Sequence, residues 1–135
     1  MTRHLCFGLA LLLLLFLLPD TVFAQSEEPC RTRTTVEINQ CAQQTLARRD
    51  RELNDAYQSL LKSLSPHGKE DAVDYAGTRR LLQQAQRAWM QFRDSDCRAK
   101  YLRSAGGSVR DIAALGCQIA HTELRTRQLR EWNRA

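Results

Sequence analysis

The chain has 135 residues, a length that admits one domain at most. Six glycines and three prolines exclude a collagen-like or linker-dominated chain, and aromatics at 7% with abundant Leu, Ala, Gln and Arg favour helices. The net charge of +5 is spread among acids with no Lys/Arg run longer than two, which reads as a solvated helix surface and not as a nucleic-acid groove.

Arg3 precedes an apolar run over residues 5–18 that is broken by Pro19 and Asp20, and Val22-Phe23-Ala24 follows. This pattern predicts a secretory signal peptide over residues 1–24, cleaved after Ala24, leaving a domain of residues 25–135. An uncleaved anchor is the competing reading, but the run falls short of the roughly 20 residues a spanning helix needs. No stable membrane span is expected after cleavage. No cysteine follows the small-residue site, so there is no lipoprotein attachment point. Removing the leader takes away one Arg and one Asp, and the charge stays at +5.

Cys6 leaves with the leader, and Cys30, Cys41, Cys97 and Cys117 remain. An even number of cysteines in a small exported domain predicts two disulfides and a periplasmic or extracellular destination. Zinc ligation is the alternative, but it favours close pairs, and the gaps here are 10, 55 and 19 intervening residues. Cys30–Cys41 and Cys97–Cys117 are the expected pairings. Cys97 and Cys117 flank a glycine turn at nearly equal distances, and the segment before Thr34 is long enough to fold back on Cys41. Cys41–Cys97 is the rival pairing.

Thr34-Thr35-Val36-Glu37 fits a capping box, and residues 36–64 then show helical spacing. Leu46, Asp50, Leu53, Tyr57, Leu60 and Leu64 form one stripe. Ser65-Pro66-His67-Gly68 ends the helix. Residues 69–77 are acidic and polar. A second helix is expected over residues 78–103, with Leu82, Ala85, Trp89, Phe92 and Asp96 on its stripe and Leu81, Ala88 and Arg93 beside it. Ala105-Gly106-Gly107 breaks it, and Ser108 caps a third helix running to about residue 132. Ile112, Leu115, Ile119, Thr122 and Leu129 line one face of that helix, beside Cys117 and Arg125. The fold class is all-α, an antiparallel three-helix bundle with two disulfides.

Two blocks stand out: Asp50-x-x-Leu53-Asn54-x-x-Tyr57 and Gln86-x-x-Trp89-x-x-Phe92-Arg93-Asp94-x-x-Cys97. A hairpin folded near residue 69 sets Asp50 across from residues 88–93, so a carboxylate in an apolar stripe faces Arg93, with Arg125 approaching from the third helix. Asp50, Asn54, Tyr57, Gln86, Trp89, Arg93 and Arg125 therefore read as a structural polar network, since a buried carboxylate demands a partner. The sharper reading, a catalytic acid beside an oxyanion-binding arginine, lacks a second carboxylate, histidine or nucleophile. Asp94 and Asp96 point in different directions on a helix. His67 and His121 read as surface residues with no neighbouring ligand cluster. Nucleophile motifs, phosphate loops and metal signatures are absent, so neither an enzyme nor a cofactor or metal site is expected. Tyr57, Trp89 and Phe92 read as core, and Trp132 as closing the open end of the bundle. Gly106, Gly107 and Ser108 form a turn that doubles as a candidate recognition tip.

With Cys30, Glu37, Cys41, Gly106-Gly107-Ser108, Cys117 and Thr122-x-x-Arg125-x-x-x-Leu129 in the same order, these blocks resemble the LprI-type lysozyme-inhibitor family across nearly the whole mature chain. The Gln-x-x-Trp-x-x-Phe-Arg-Asp-x-x-Cys block is the most specific part. The resemblance implies a small, exported, α-helical bacterial domain that binds and inhibits a lysozyme-class muramidase. A non-inhibitory envelope module, binding a cell-wall or secretion partner, is the alternative. Many lysozymes are themselves basic, so a +5 inhibitor needs a local acidic patch. Glu70, Asp71 and Asp74 are the candidates.

Overall fold

The computed structural model describes residues 34–66, 72–104, 106–107 and 109–134. The leader, Cys30, His67, Glu70, Asp71 and Ser108 lie outside them. The described residues hold three helices and no strand: α1 (Thr35–Ser63), α2 (Tyr75–Arg103) and α3 (Val109–Trp132). None is long and apolar enough to cross a membrane.

α1 starts where its capping residues require. Thr34 is extended, its hydroxyl accepts from the Glu37 amide at 3.3 Å, and the Glu37 carboxylate accepts from the Thr34 amide at 3.1 Å. Two otherwise orphaned donors are thus satisfied. Leu53, Ala56, Leu60 and Leu61 are buried, with Tyr57 and Leu64 packed against them, so the expected stripe of α1 faces the core.

α2 begins three residues earlier than the sequence indicates. Asp74 caps it, accepting from the Gly77 amide at 2.8 Å. Gly77 stands inside the first turn because the Asp74 carboxylate occupies the space a Cβ would need. Its buried face is also rotated by one position from the expected stripe. Ala85 is exposed and Phe92 is 56% exposed; Leu82, Gln86 and Cys97 are buried, with Trp89 and Arg93 partly so. The expected stripe followed apolarity. The observed one follows partners, since Gln86 and Arg93 hydrogen-bond to α3 and Cys97 is covalently tied to it.

α3 buries Cys117, Thr122, Thr126 and Leu129. Thr126 escaped the apolar pattern, yet its hydroxyl is satisfied within the helix by the Thr122 carbonyl at 2.8 Å. Trp132 does not close an open end of the fold; it is 47% exposed.

The closest backbone packing is between α1 and α3, and next between α2 and α3; α1 and α2 meet mainly through side chains. Ala56, Thr122 and Thr126 are small buried side chains, which lets the α1 and α3 backbones approach. Leu60, Leu82 and Leu129 are almost wholly buried, each contributing about 1.5–3 kcal/mol relative to exposure. Along α2 and α3 the pairings Cys97–Cys117, Arg93–Thr122 and Gln86–Arg125 run in opposite numerical order.

Cys97–Cys117 is the one bridge between described residues, with a Cα–Cα distance of 5.5 Å. It excludes the rival Cys41–Cys97 pairing. Cys41 is itself disulfide-bonded, and Cys30, its expected partner, lies outside the described residues.

Candidate functional site

A polar centre joins the three helices. On α2, Arg93 donates to Asp50 of α1 at 2.9 Å, to the Thr122 hydroxyl of α3 at 3.1 Å and to its neighbour Asp94 at 3.1 Å. Its guanidinium lies 5.3 Å from the centre of the Trp89 ring. The Arg93 side chain is 14% exposed and that of Asp50 45%, so the cation is largely sheltered while the carboxylate keeps much of its water.

Arg125 does not reach Asp50. It donates to Gln86 at 3.0 Å and to Gln128 at 3.5 Å. Burial pushes its guanidinium below its ordinary pKa, and nearby Tyr57 offsets part of that shift. A separate tie, which apolar spacing does not reveal, joins α1 to α3: Arg49 donates to Glu52 and to Glu123, each at 2.9 Å. Burial works against that charge, but the two carboxylates outweigh it and hold Arg49 above its ordinary value.

Between α1 and α2 the side chains leave an open cleft of about 300 Å³. Asp50, Asn54 and Tyr57 line one side, and Gln83, Gln86 and Arg87 the other. Asn54 is exposed here and belongs to the cleft wall. The cleft offers amide, guanidinium and phenol groups for hydrogen bonding. Its carboxylate is paired with Arg93 through Oδ1.

The two expected recognition tips differ. In the first, Asp74 is committed to the α2 cap. In the second, Gly106 and Gly107 are exposed, and Gly107 adopts φ +85°, a left-handed conformation that favours glycine.

His121 is not isolated. Its Nε2 lies 2.9 Å from Asp96 Oδ2, and Cys117 Sγ lies 3.6 Å from the same oxygen. With Cys97 these residues form a cluster of potential metal-ligand atoms, all within 4.8 Å of one another. The sequence hides it because the donors come from two helices, as two local pairs, Asp96 with Cys97 and Cys117 with His121, that only the packing of α2 on α3 brings together.

Residues 27–129 match the model of the family described as lysozyme inhibitor LprI. The chain belongs to that family. It is also 36% identical over 114 residues to uncharacterized protein R02472 of Rhizobium meliloti (strain 1021), an alignment covering 80% of this chain and 81% of the relative. No solved structure matches it significantly.

Proposed function

We propose that the protein is an exported, non-enzymatic inhibitor that occupies a lysozyme-class muramidase and slows its cutting of cell walls. The observation that carries this reading is the family match, which takes in α1 and α2 whole and α3 as far as Leu129. The polar centre supports a binding role, because Asp50 is committed to Arg93. The Cys97–Cys117 bridge supports an oxidising destination, periplasmic or extracellular, reached by way of the leader over residues 1–24. The opposed pairings of α2 and α3 support an antiparallel three-helix bundle, with Cys30–Cys41 as its second bridge.

The inhibitory contact belongs to a connection between helices, with the acidic segment that precedes Tyr75 favoured and the tip at Gly106, Gly107 and Ser108 second. A rigid, cross-linked scaffold loses less ordering entropy on binding. The test is a cell-wall lysis assay with purified protein in micromolar excess over several unrelated lysozymes. Lysis by at least one of them should slow. Full activity of all of them rejects the reading. Charge reversal of Glu70 and Asp71 should weaken inhibition with the melting temperature nearly unchanged. Asp74 is left intact in that variant because it caps α2.

The second reading, a non-inhibitory envelope module, draws on the α1–α2 cleft, whose Asn54, Gln83, Gln86 and Tyr57 suit a polar cell-wall ligand. Sedimentation with peptidoglycan in the absence of lysozyme inhibition would favour it.

A further inference from the structure

A second group of reactive side chains lies away from the α1–α2 cleft, where α2 and α3 are tied together. Asp96 and Cys97 are neighbours on α2. Cys117 and His121 are four apart on α3 and so share a face. The two sulfurs are buried, while Asp96 and His121 are half-buried and connect the cluster to solvent. Phe92 stands edge-on to the imidazole, with ring centres 5.3 Å apart, and helps set its orientation.

The donor spacing can be compared with a coordination tetrahedron. Zinc binds nitrogen and oxygen at about 2.0–2.1 Å and sulfur at about 2.3 Å, which sets N···O edges of about 3.3 Å and S···O edges of about 3.5 Å. His121 Nε2 and Asp96 Oδ2 are 2.9 Å apart, and Cys117 Sγ and Asp96 Oδ2 are 3.6 Å apart. The sulfur–oxygen pair matches its edge, and the nitrogen–oxygen pair, now at hydrogen-bond distance, must open by about 0.4 Å. The pair that must move furthest is Cys97 and Cys117, whose sulfurs are joined and need an edge of about 3.8 Å.

We infer that Asp96, Cys97, Cys117 and His121 form a redox-gated site for a thiophilic divalent cation such as zinc, closed while the cysteines are bridged and open once they are reduced. Opening is thiol–disulfide exchange with an external dithiol. The dithiol gives two electrons and two protons to the bridge, the sulfur–sulfur bond breaks, and the dithiol closes to its own disulfide. Cation binding then displaces both thiol protons, so that two thiolates, the His121 imidazole and the Asp96 carboxylate complete four-coordination. Two sulfurs with one nitrogen and one oxygen suit zinc and disfavour the hard cations magnesium and calcium. The bound cation would replace the covalent link between α2 and α3, so the reduced chain keeps that junction. Reoxidation by a disulfide acceptor withdraws two electrons, rejoins the sulfurs and expels the cation.

Cobalt(II) is the probe that tests this. Protein reduced with a trialkylphosphine under nitrogen should bind one equivalent of cobalt with tetrahedral d–d and thiolate charge-transfer absorption, and zinc should displace it. The oxidised protein should show neither band. His121→Ala and Asp96→Asn, checked for native helicity in the oxidised state, should weaken cobalt binding in the reduced state by roughly tenfold or more. Zinc should also raise the melting temperature of the reduced protein, read by circular dichroism. A reduced protein with only weak octahedral cobalt absorption would overturn the proposal. So would binding indifferent to His121→Ala, or a reduced chain that zinc leaves unfolded.

Discussion

At the scale of single residues, Arg93 and Asp50 are unequal partners. Asp50 is nearly half exposed, so the cost of stranding a fully buried cation does not apply to its removal. Asp50→Ala should cost about 1 kcal/mol in urea melts, since Arg93 keeps Thr122, Asp94 and the Trp89 face. Arg93→Ala should cost about 2–3 kcal/mol, because it removes charged hydrogen bonds to two other helices and the packing of a long stem. Equal losses for the two variants would contradict this asymmetry. The meeting of Asp50 with Arg93 was readable from a carboxylate in an apolar stripe facing an arginine across a hairpin. The Gln86–Arg125 bond and the clustering of His121 with Asp96 were not. They depend on the rotation of α2 about its axis, which local spacing leaves free by one position.

At the scale of the helix, ends were more readable than faces. Thr34 and Glu37 announce the start of α1 by a local, reciprocal chemistry that needs no tertiary partner. Thr34→Ala should cost about 1 kcal/mol, measured as a lower urea midpoint with unchanged slope. Asp74 does not declare itself as a cap in the sequence, because it stands in an acidic, polar segment with no apolar pattern beside it to mark a helix start. The turn into α3 depends on Gly107 at φ +85°, and Gly107→Ala should destabilise by about 1–2 kcal/mol although nothing lies within 4 Å of the added methyl. A larger loss there would point to a clash and not to backbone conformation. The face of α2 was misplaced because Phe92 is more apolar than Gln86 or Arg93. Hydrogen bonds and a covalent link outweighed that difference.

At the scale of the whole molecule, three helices and their order were readable, while the choice of neighbours was not. Short connections suggest that each helix packs on the next, yet α1 packs most closely on α3. The Cys97–Cys117 link closes a loop with a sequence separation of 20 and should contribute about 3 kcal/mol. Cys97→Ser with Cys117→Ser should therefore lower thermal stability in the absence of metal, as read by calorimetry, and an unchanged melting temperature would refute the estimate. The α1–α3 pairing also bears on timing. Synthesis delivers a chain from its N-terminus, so α1 appears first and waits for a partner encoded some seventy residues later, at Thr122 and Glu123. Until α3 arrives, the apolar stripe of α1 lacks its main backbone partner and has only α2 side chains such as Leu82 and Trp89 to pack on. A chain ending at Ser104 should accordingly show little cooperative melting, and a sharp transition in that truncated chain would rule out the delay.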